Sequence, residues 1–132
     1  MEKIKLNPAF NDDRGSIWDL LTNDQVNHIG LLKSKKKSIR GKHYHKLQKQ
    51  YTLIFEGKVK IITKDLTVSN SPIEEFILES MEMIVFPPFC YHSIETIDDS
   101  VCLIFTDRTR IGNDYEEDTI RINDIENYSL SD

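Results

Sequence analysis

No stretch of this chain keeps its apolar residues in step with the 3.6-residue turn of a helix over any length. It carries instead a succession of short runs rich in β-branched and aromatic residues, each closed by Gly, Pro, Asn, Asp or Ser. Such a chain cannot bury its apolar surface in a helix bundle. It must lay strand beside strand and close sheet upon sheet around one core. The expectation is an all-β sandwich or small barrel, and 132 residues suit a single domain.

In order, Ile4-Lys5-Leu6 reads as a short edge strand and Asn11 to Ser16 as a turn. Ile17 to Leu21 and Val26 to Leu32 read as strands, followed by a charged loop over Lys33 to Lys37. Ser38 to Lys46 is a strand that carries two histidines. Tyr51 to Phe55 runs into Glu56-Gly57, a tight-turn signal, and Val59 to Thr63 returns with Val59, Ile61 and Thr63 on one face. Ile73 to Leu78 and Met83 to Phe86 follow, the second stopped by Pro87-Pro88, which cannot continue a central ladder. Tyr91 to Glu95 and Val101 to Thr106 are strands separated by a turn at Asp98-Asp99-Ser100. From Asp107 the chain is polar, with a short helix expected over Asp124 to Tyr128 in the C-terminal tail, residues 124–132.

The net charge of -5 argues against nucleic acid or an anionic membrane as partner, while leaving room for a small anion on a local basic cluster. Cys90 and Cys102 stand alone without metal-type spacing, as buried free thiols in a reducing compartment do. No run approaches the ~20 apolar residues of a membrane span, and no N-terminal apolar run resembles a signal peptide. A soluble cytoplasmic protein is expected.

The chemistry concentrates at Arg40-Gly41-Lys42-His43-Tyr44-His45. Residues i and i+2 of a strand share a face, so His43 and His45 point side by side, with Tyr44 opposite. Two imidazoles so placed suit a metal site or a proton-transfer site, because the ordinary histidine pKa lies near neutral. Arg40 and Arg14 are of the residue type that grips phosphate with two hydrogen bonds. Tyr91 and Tyr115 could stack on or hydrogen-bond a base or sugar. His28 has no motif around it and reads as structural or exposed.

The spacing His43-x-His45-x4-Gln50-x6-Gly57, with Pro87-x4-His92 downstream, resembles the two sequence motifs of the cupin superfamily. That resemblance implies a double-stranded β-helix, the cupin jelly-roll barrel, in agreement with the strand pattern. Metal-binding cupins usually carry Glu where this chain has neutral Gln50; if a metal were held, the ligands would be His43, His45 and His92. Phe89 stands where glycine is usual, and Thr96 where asparagine is usual.

A fuller resemblance spans nearly the whole chain. Asp13-Arg14-Gly15, Arg40-Gly41-x-His43 and Tyr115-Glu116-Glu117-Asp118-Thr119-Ile120-Arg121 look like segments of the nucleotide-sugar cupins. The string Arg40 to Lys46 with Gln50 is similar to the dTDP-4-oxo-6-deoxyglucose 3,4-ketoisomerases and, more distantly, to the dTDP-4-dehydrorhamnose 3,5-epimerases. The strand before Arg40, Ile29 to Lys33, lacks the Tyr or Ser usual in those enzymes. The resemblance implies an isomerase acting on a dTDP-linked 4-keto-6-deoxyhexose, without metal or organic cofactor, as a homodimer. It implies His43 and His45 as catalytic residues, with Arg14, Arg40, Gln50, Tyr91, His92 and Tyr115 binding substrate. Epimerisation is the alternative, and a metal-dependent or purely sugar-binding cupin a further one.

Overall fold

The computed structural model describes residues 1–130 and is built almost entirely of antiparallel strands. They are β1 (Lys3–Lys5), β2 (Phe10–Asp12), β3 (Gly15–Ile17), β4 (His28–Ser34), β5 (Ile39–His45), β6 (Gln50–Asp65), β7 (Ile73–Glu79), β8 (Glu82–Phe86), β9 (Cys90–Thr106) and β10 (Thr119–Arg121). One helix, α1 (Asp114–Asp118), precedes β10. The expected all-β jelly-roll barrel is what the chain forms.

Two long strands hold it together. The first part of β6 lies between β8 and the second part of β9, with Gln50 paired to both Phe86 and Thr106. Past the bend, β6 lies between β7 and the first part of β9. On its far side β9 pairs first with β5 and then with β4. One layer therefore runs β1-β8-β6-β9-β4 and the other β7-β6-β9-β5-β10. Ile54, Val59, Ile61, Leu78, Ile84, Phe86, Cys90, Ile94 and Cys102 fill the space between.

The Glu56-Gly57 signal marks a corner, not a reversal. Gly57 has φ 105°, and a Cβ there would run into Ser100 Oγ and lie 2.6 Å from Asp99 O. Ser100 Oγ accepts the Lys58 N–H at 3.0 Å. The expected turns at 56–57 and 98–100 are thus the two sides of one bend, where β6 and β9 pass together from layer to layer with shifts in register. A glycine opposite a Ser-Asp cluster reads the same in sequence whether the chain reverses or only bends.

Other expectations shift more modestly. The strand expected over Ile17 to Leu21 ends at Ile17, and Leu20 and Leu21 instead pack on the outer face of the first layer with Tyr51, Leu53, Met83 and Phe105. Lys33 and Ser34 belong to β4 and not to a loop. The helix expected over Asp124 to Tyr128 does not form; that segment folds in turns, and Ile125, Tyr128 and Leu130 cover the outer face of the second layer. The helix lies earlier, at Asp114–Asp118, where a single five-residue turn offers no apolar period to detect. Cys90 and Cys102 are free and buried, as expected.

Candidate active site

The local backbone of β5 sets the site. Gly41 and Lys42 both take positive φ, 85° and 56°, and the pairing with β9 slips between Gly41 and His43. A Cβ on Gly41 would come within 2.8 Å of His92 O, so no larger residue fits. This bulge resets the alternation of faces. Arg40 and His43, three apart, consequently line the same cavity. A second positive φ, 62° at Phe89, lets the Phe89 N–H reach His45 O at 2.8 Å. This is the backbone conformation that explains why related motifs place glycine there.

The cavity, about 530 Å³, is lined by Arg40, His43, Gln50 and His92 together with His28, Arg110, Tyr115 and Arg121. The ring of His43 lies 4.7 Å from those of His45 and His92, and His45 and His92 are 5.5 Å apart. His92 stacks on Phe86 at 4.1 Å. His45 sits one ring behind His43 and is almost wholly buried. Gln50, also buried, accepts from Gln48 Nε2 and donates to Thr52 Oγ1.

Hydrogen bonds assign two of the tautomers. Thr119 Oγ1 donates to Tyr115 O, so its lone pair accepts from His45 Nδ1 at 3.1 Å. His92 Nδ1 faces the carbonyl of Cys90 at 3.0 Å and must donate. Both rings therefore carry a lone pair on Nε2, and both Nε2 atoms are buried without a partner among the described residues. Burial pushes His43 down to about 4, helped by the charges of His45, Arg121 and Arg110 and opposed by Glu116. Burial, then Arg110 and Arg121, brings His45 to about 4 as well. His92 is held well below the ordinary range, chiefly by burial. At neutral pH the three imidazoles are uncharged bases inside a wall of guanidinium groups.

The donor set also fits a divalent metal. The ligand nitrogens of His43, His45 and His92 all lie within 4.8 Å of one another, and three imidazoles are a familiar zinc set. The anchored Nδ1 atoms of His45 and His92 are the second-shell arrangement that orients histidine ligands. Among the described residues no carboxylate joins this cluster.

Two residues expected in the site stand elsewhere. Tyr91 packs with Tyr44, Leu66 and Ile122 on the outer face of the second layer. It follows from strand alternation, since Tyr91 and His92 are consecutive on β9 and must face opposite ways. Arg14 lies on the β2–β3 hairpin, with an exposed side chain forked onto Asp12 at 2.7 and 2.9 Å, and does not line the cavity. Conversely, His28 does line it: a Cβ at Gly30 would come 3.2 Å from the His28 ring, so Gly30 makes the space that ring fills. Arg110 and Arg121 join as well, Arg121 through the pairing of β10 with β5, which sets it opposite His43. A lone histidine and an arginine in a polar loop carried no local pattern; the repeated position of Arg121 beside the histidine strand shows only once β10 is paired.

The C-terminal segment supports this constellation. Asp118 is buried and accepts the N–H groups of Leu47 and Gln48 at 2.7 and 3.0 Å, holding the loop between β5 and β6.

The family described as Polysaccharide biosynthesis C-terminal domain matches residues 10 to 120, most of the chain. The chain belongs to that family. No curated protein sequence matches it. Among solved structures, this member of the family is similar in fold to a 3,4-ketoisomerase from Helicobacter canadensis, with TM-score 0.72, 18% identity, and coverage of 92% of this chain and 90% of the other. It is likewise similar to the dTDP-6-deoxy-D-glucose-3,5-epimerase of Legionella pneumophila, with TM-score 0.76, 16% identity, and coverage of 93% and 72%. The capsular polysaccharide assembling protein CapF of Staphylococcus aureus gives TM-score 0.65 and 22% identity over 89% of this chain, which spans 34% of CapF. At these identities the likeness is one of fold, the cupin jelly roll. Among the described residues no helix is long and apolar enough to cross a membrane.

Proposed function

We propose that this chain isomerises a nucleotide-linked 4-keto-6-deoxyhexose by proton transfer at the carbon beside the ketone, moving the ketone from C4 to C3. One observation carries the reading: His43, backed by His45 one ring behind it, is a neutral base on the wall of a cavity that Arg40, Arg110 and Arg121 line with positive charge. Base and anion site stand together, in a chain whose net charge is -5. The family's link to polysaccharide biosynthesis and the fold shared with a ketoisomerase and an epimerase are consistent with it.

The C–H bond next to a carbonyl is acidified. His43, on the cavity surface, takes the proton from C3; the bonding pair moves into the C3–C4 bond and negative charge collects on O4. His45, oriented by Thr119, handles the second proton, taken from the O3 hydroxyl and returned to O4. The imidazolium of His43 then delivers its proton to C4, and the ketone stands at C3. No atom is gained or lost. Burial is the main cause that holds both imidazoles down, and the arginine charges add to it. A dianionic diphosphate near the arginines offsets that second part, so basicity rises when substrate is bound. General acid–base assistance of this kind is worth about 10²–10⁴-fold; the remainder must come from orientation and from stabilising the enediolate. Gln50 and His92 complete the wall, while Arg14 would reach substrate only from a neighbouring copy in the proposed cytoplasmic homodimer. Turnover of dTDP-4-oxo-6-deoxyglucose, followed by NMR, tests the reading. A 3-keto product supports it; a 4-keto product inverted at C3 or C5 supports epimerisation; unchanged sugar refutes both.

A second reading rests on the unpartnered Nε2 atoms of His45 and His92. With His43 they would hold a divalent cation, which supplies Lewis-acid stabilisation of enolate oxygen when bound. In that case the proton must be moved by another group on the cavity wall, and His28 or Tyr115 are the candidates.

A further inference from the structure

We propose that Arg110, seated on the ring of Tyr115, is the anchor for the ligand's diphosphate, an inference that rests on the nucleotide-sugar reading. Sequence resemblance points to Arg14 and Arg40 for this role, but the geometry favours neither. Arg14 is forked onto Asp12 outside the cavity. Arg40 lines the cavity with its Nε tied to Ser34 Oγ at 3.0 Å. Arg121 is forked onto Glu116 at 2.9 and 3.1 Å. Arg110 alone of the three cavity arginines has no side-chain hydrogen bond or ion pair among the described residues, and it is exposed to the cavity mouth.

Its place is nevertheless defined. The guanidinium carbon lies 4.1 Å from the centre of the Tyr115 ring. Stacking on a ring face occupies the π surface of the guanidinium and leaves its in-plane N–H fork free, the part that grips phosphate oxygens in pairs. Tyr115 in turn lies in the first turn of α1 and is held near β5 through Thr119, which accepts from His45 and donates to Tyr115 O. The Tyr115 ring is 6.5 Å from that of His43, so a diphosphate on Arg110 leaves the adjoining hexose within reach of the base. The depressing influence of Arg110 on His28, His43 and His45 agrees with its position among them.

Calorimetric titration of the whole chain with dTDP, UDP and inorganic pyrophosphate tests the anchor, using Arg110→Ala, Arg110→Lys and, as a control on the same loop, Arg108→Ala. Arg110→Ala is expected to weaken every diphosphate the wild type binds by about 10–100-fold. Arg110→Lys should recover only part of this, because an ammonium has no fork, and Arg108→Ala should match wild type. With 4-keto sugar as substrate, Arg110→Ala should raise KM by a larger factor than it changes kcat. Affinity of Arg110→Ala within twofold of wild type would overturn the anchor, as would an equal loss in Arg108→Ala or a wild type that binds none of the three probes. Pyrophosphate binding lost in Arg110→Ala, in a protein that ignores dTDP and UDP, would support the anchor while refuting the nucleotide-sugar reading.

Discussion

Thr119 Oγ1 accepts a hydrogen bond from His45 Nδ1 at 3.1 Å, across the register pair in which β10 meets β5. One hydroxyl thus fixes which nitrogen of a buried imidazole carries its proton. Thr119→Val keeps the shape and removes the acceptor. We expect the fold to persist and turnover to fall about 10-fold or more, with the pH–rate profile displaced because His45 loses its preferred tautomer. A variant with wild-type kcat and an unchanged profile would show that Thr119 does not position His45.

Gly41 is the hinge of the bulge that brings Arg40 and His43 to one face. Gly41→Ala must place a Cβ 2.8 Å from His92 O at φ 85°. A loss of about 1–3 kcal/mol in urea unfolding is expected, with turnover lost beyond the destabilisation because His43 and His92 can no longer face each other. Wild-type stability would mean that β5 tolerates a regular ladder there.

Asp118 acts at a distance from the ligand. Its carboxylate takes two backbone N–H groups of the loop that leads into β6. Asp118→Ala leaves Leu47 and Gln48 N–H without acceptors, and a buried unpaired donor costs about 1–3 kcal/mol. Urea unfolding should register that loss.

Stability should fall as the solution is acidified through the histidine range. His43 and His45 titrate near 4 in the folded chain against an ordinary 6.5. Well above pH 6.5 both are neutral in either state. Between about 6.5 and 4 the unfolded chain binds protons that the folded chain refuses, so the unfolded state gains. Below about 4 the folded rings titrate too, and the loss from this source levels off. Each ring contributes about 1–3 kcal/mol across that window. Unfolding midpoints at pH 7.5, 6 and 5 should decline, and the double variant His43→Asn/His45→Asn should decline less. Equal slopes would contradict burial as the cause.

Zinc separates the two readings of the histidine cluster. Because His43, His45 and His92 fit a divalent cation, added Zn2+ should raise Tm. If His43 is the base, the same zinc occupies its lone pair and inhibits turnover, and a chelator restores it. Activation by zinc, with loss on chelation, would favour the metal-assisted reading.

The sequence showed this architecture through its strand runs and showed the histidine face through i, i+2 spacing. Its errors came where one local signal serves two geometries. Gly57 and Asp98 to Ser100 carry turn chemistry, yet they are opposite sides of a corner that only pairing between β6 and β9 defines. Tyr91 could have been set aside from sequence, since it alternates with His92. His28 could not, because its place depends on Gly30 and on a cavity assembled from β4, β5 and the 107–121 segment. Arg110 likewise gains meaning only from the ring of Tyr115 beneath it.

In the proposed reaction His43 removes a carbon-bound proton from a 4-keto sugar. Incubation of dTDP-4-oxo-6-deoxyglucose with the protein in D2O, read by NMR of the sugar, is the decisive measurement. A 3-keto product is expected, carrying solvent deuterium at C4 or its original C3 hydrogen transferred there, with both outcomes lost in His43→Asn. A wild-type protein that neither exchanges nor isomerises the sugar, or a His43→Asn variant as active as wild type, would contradict it.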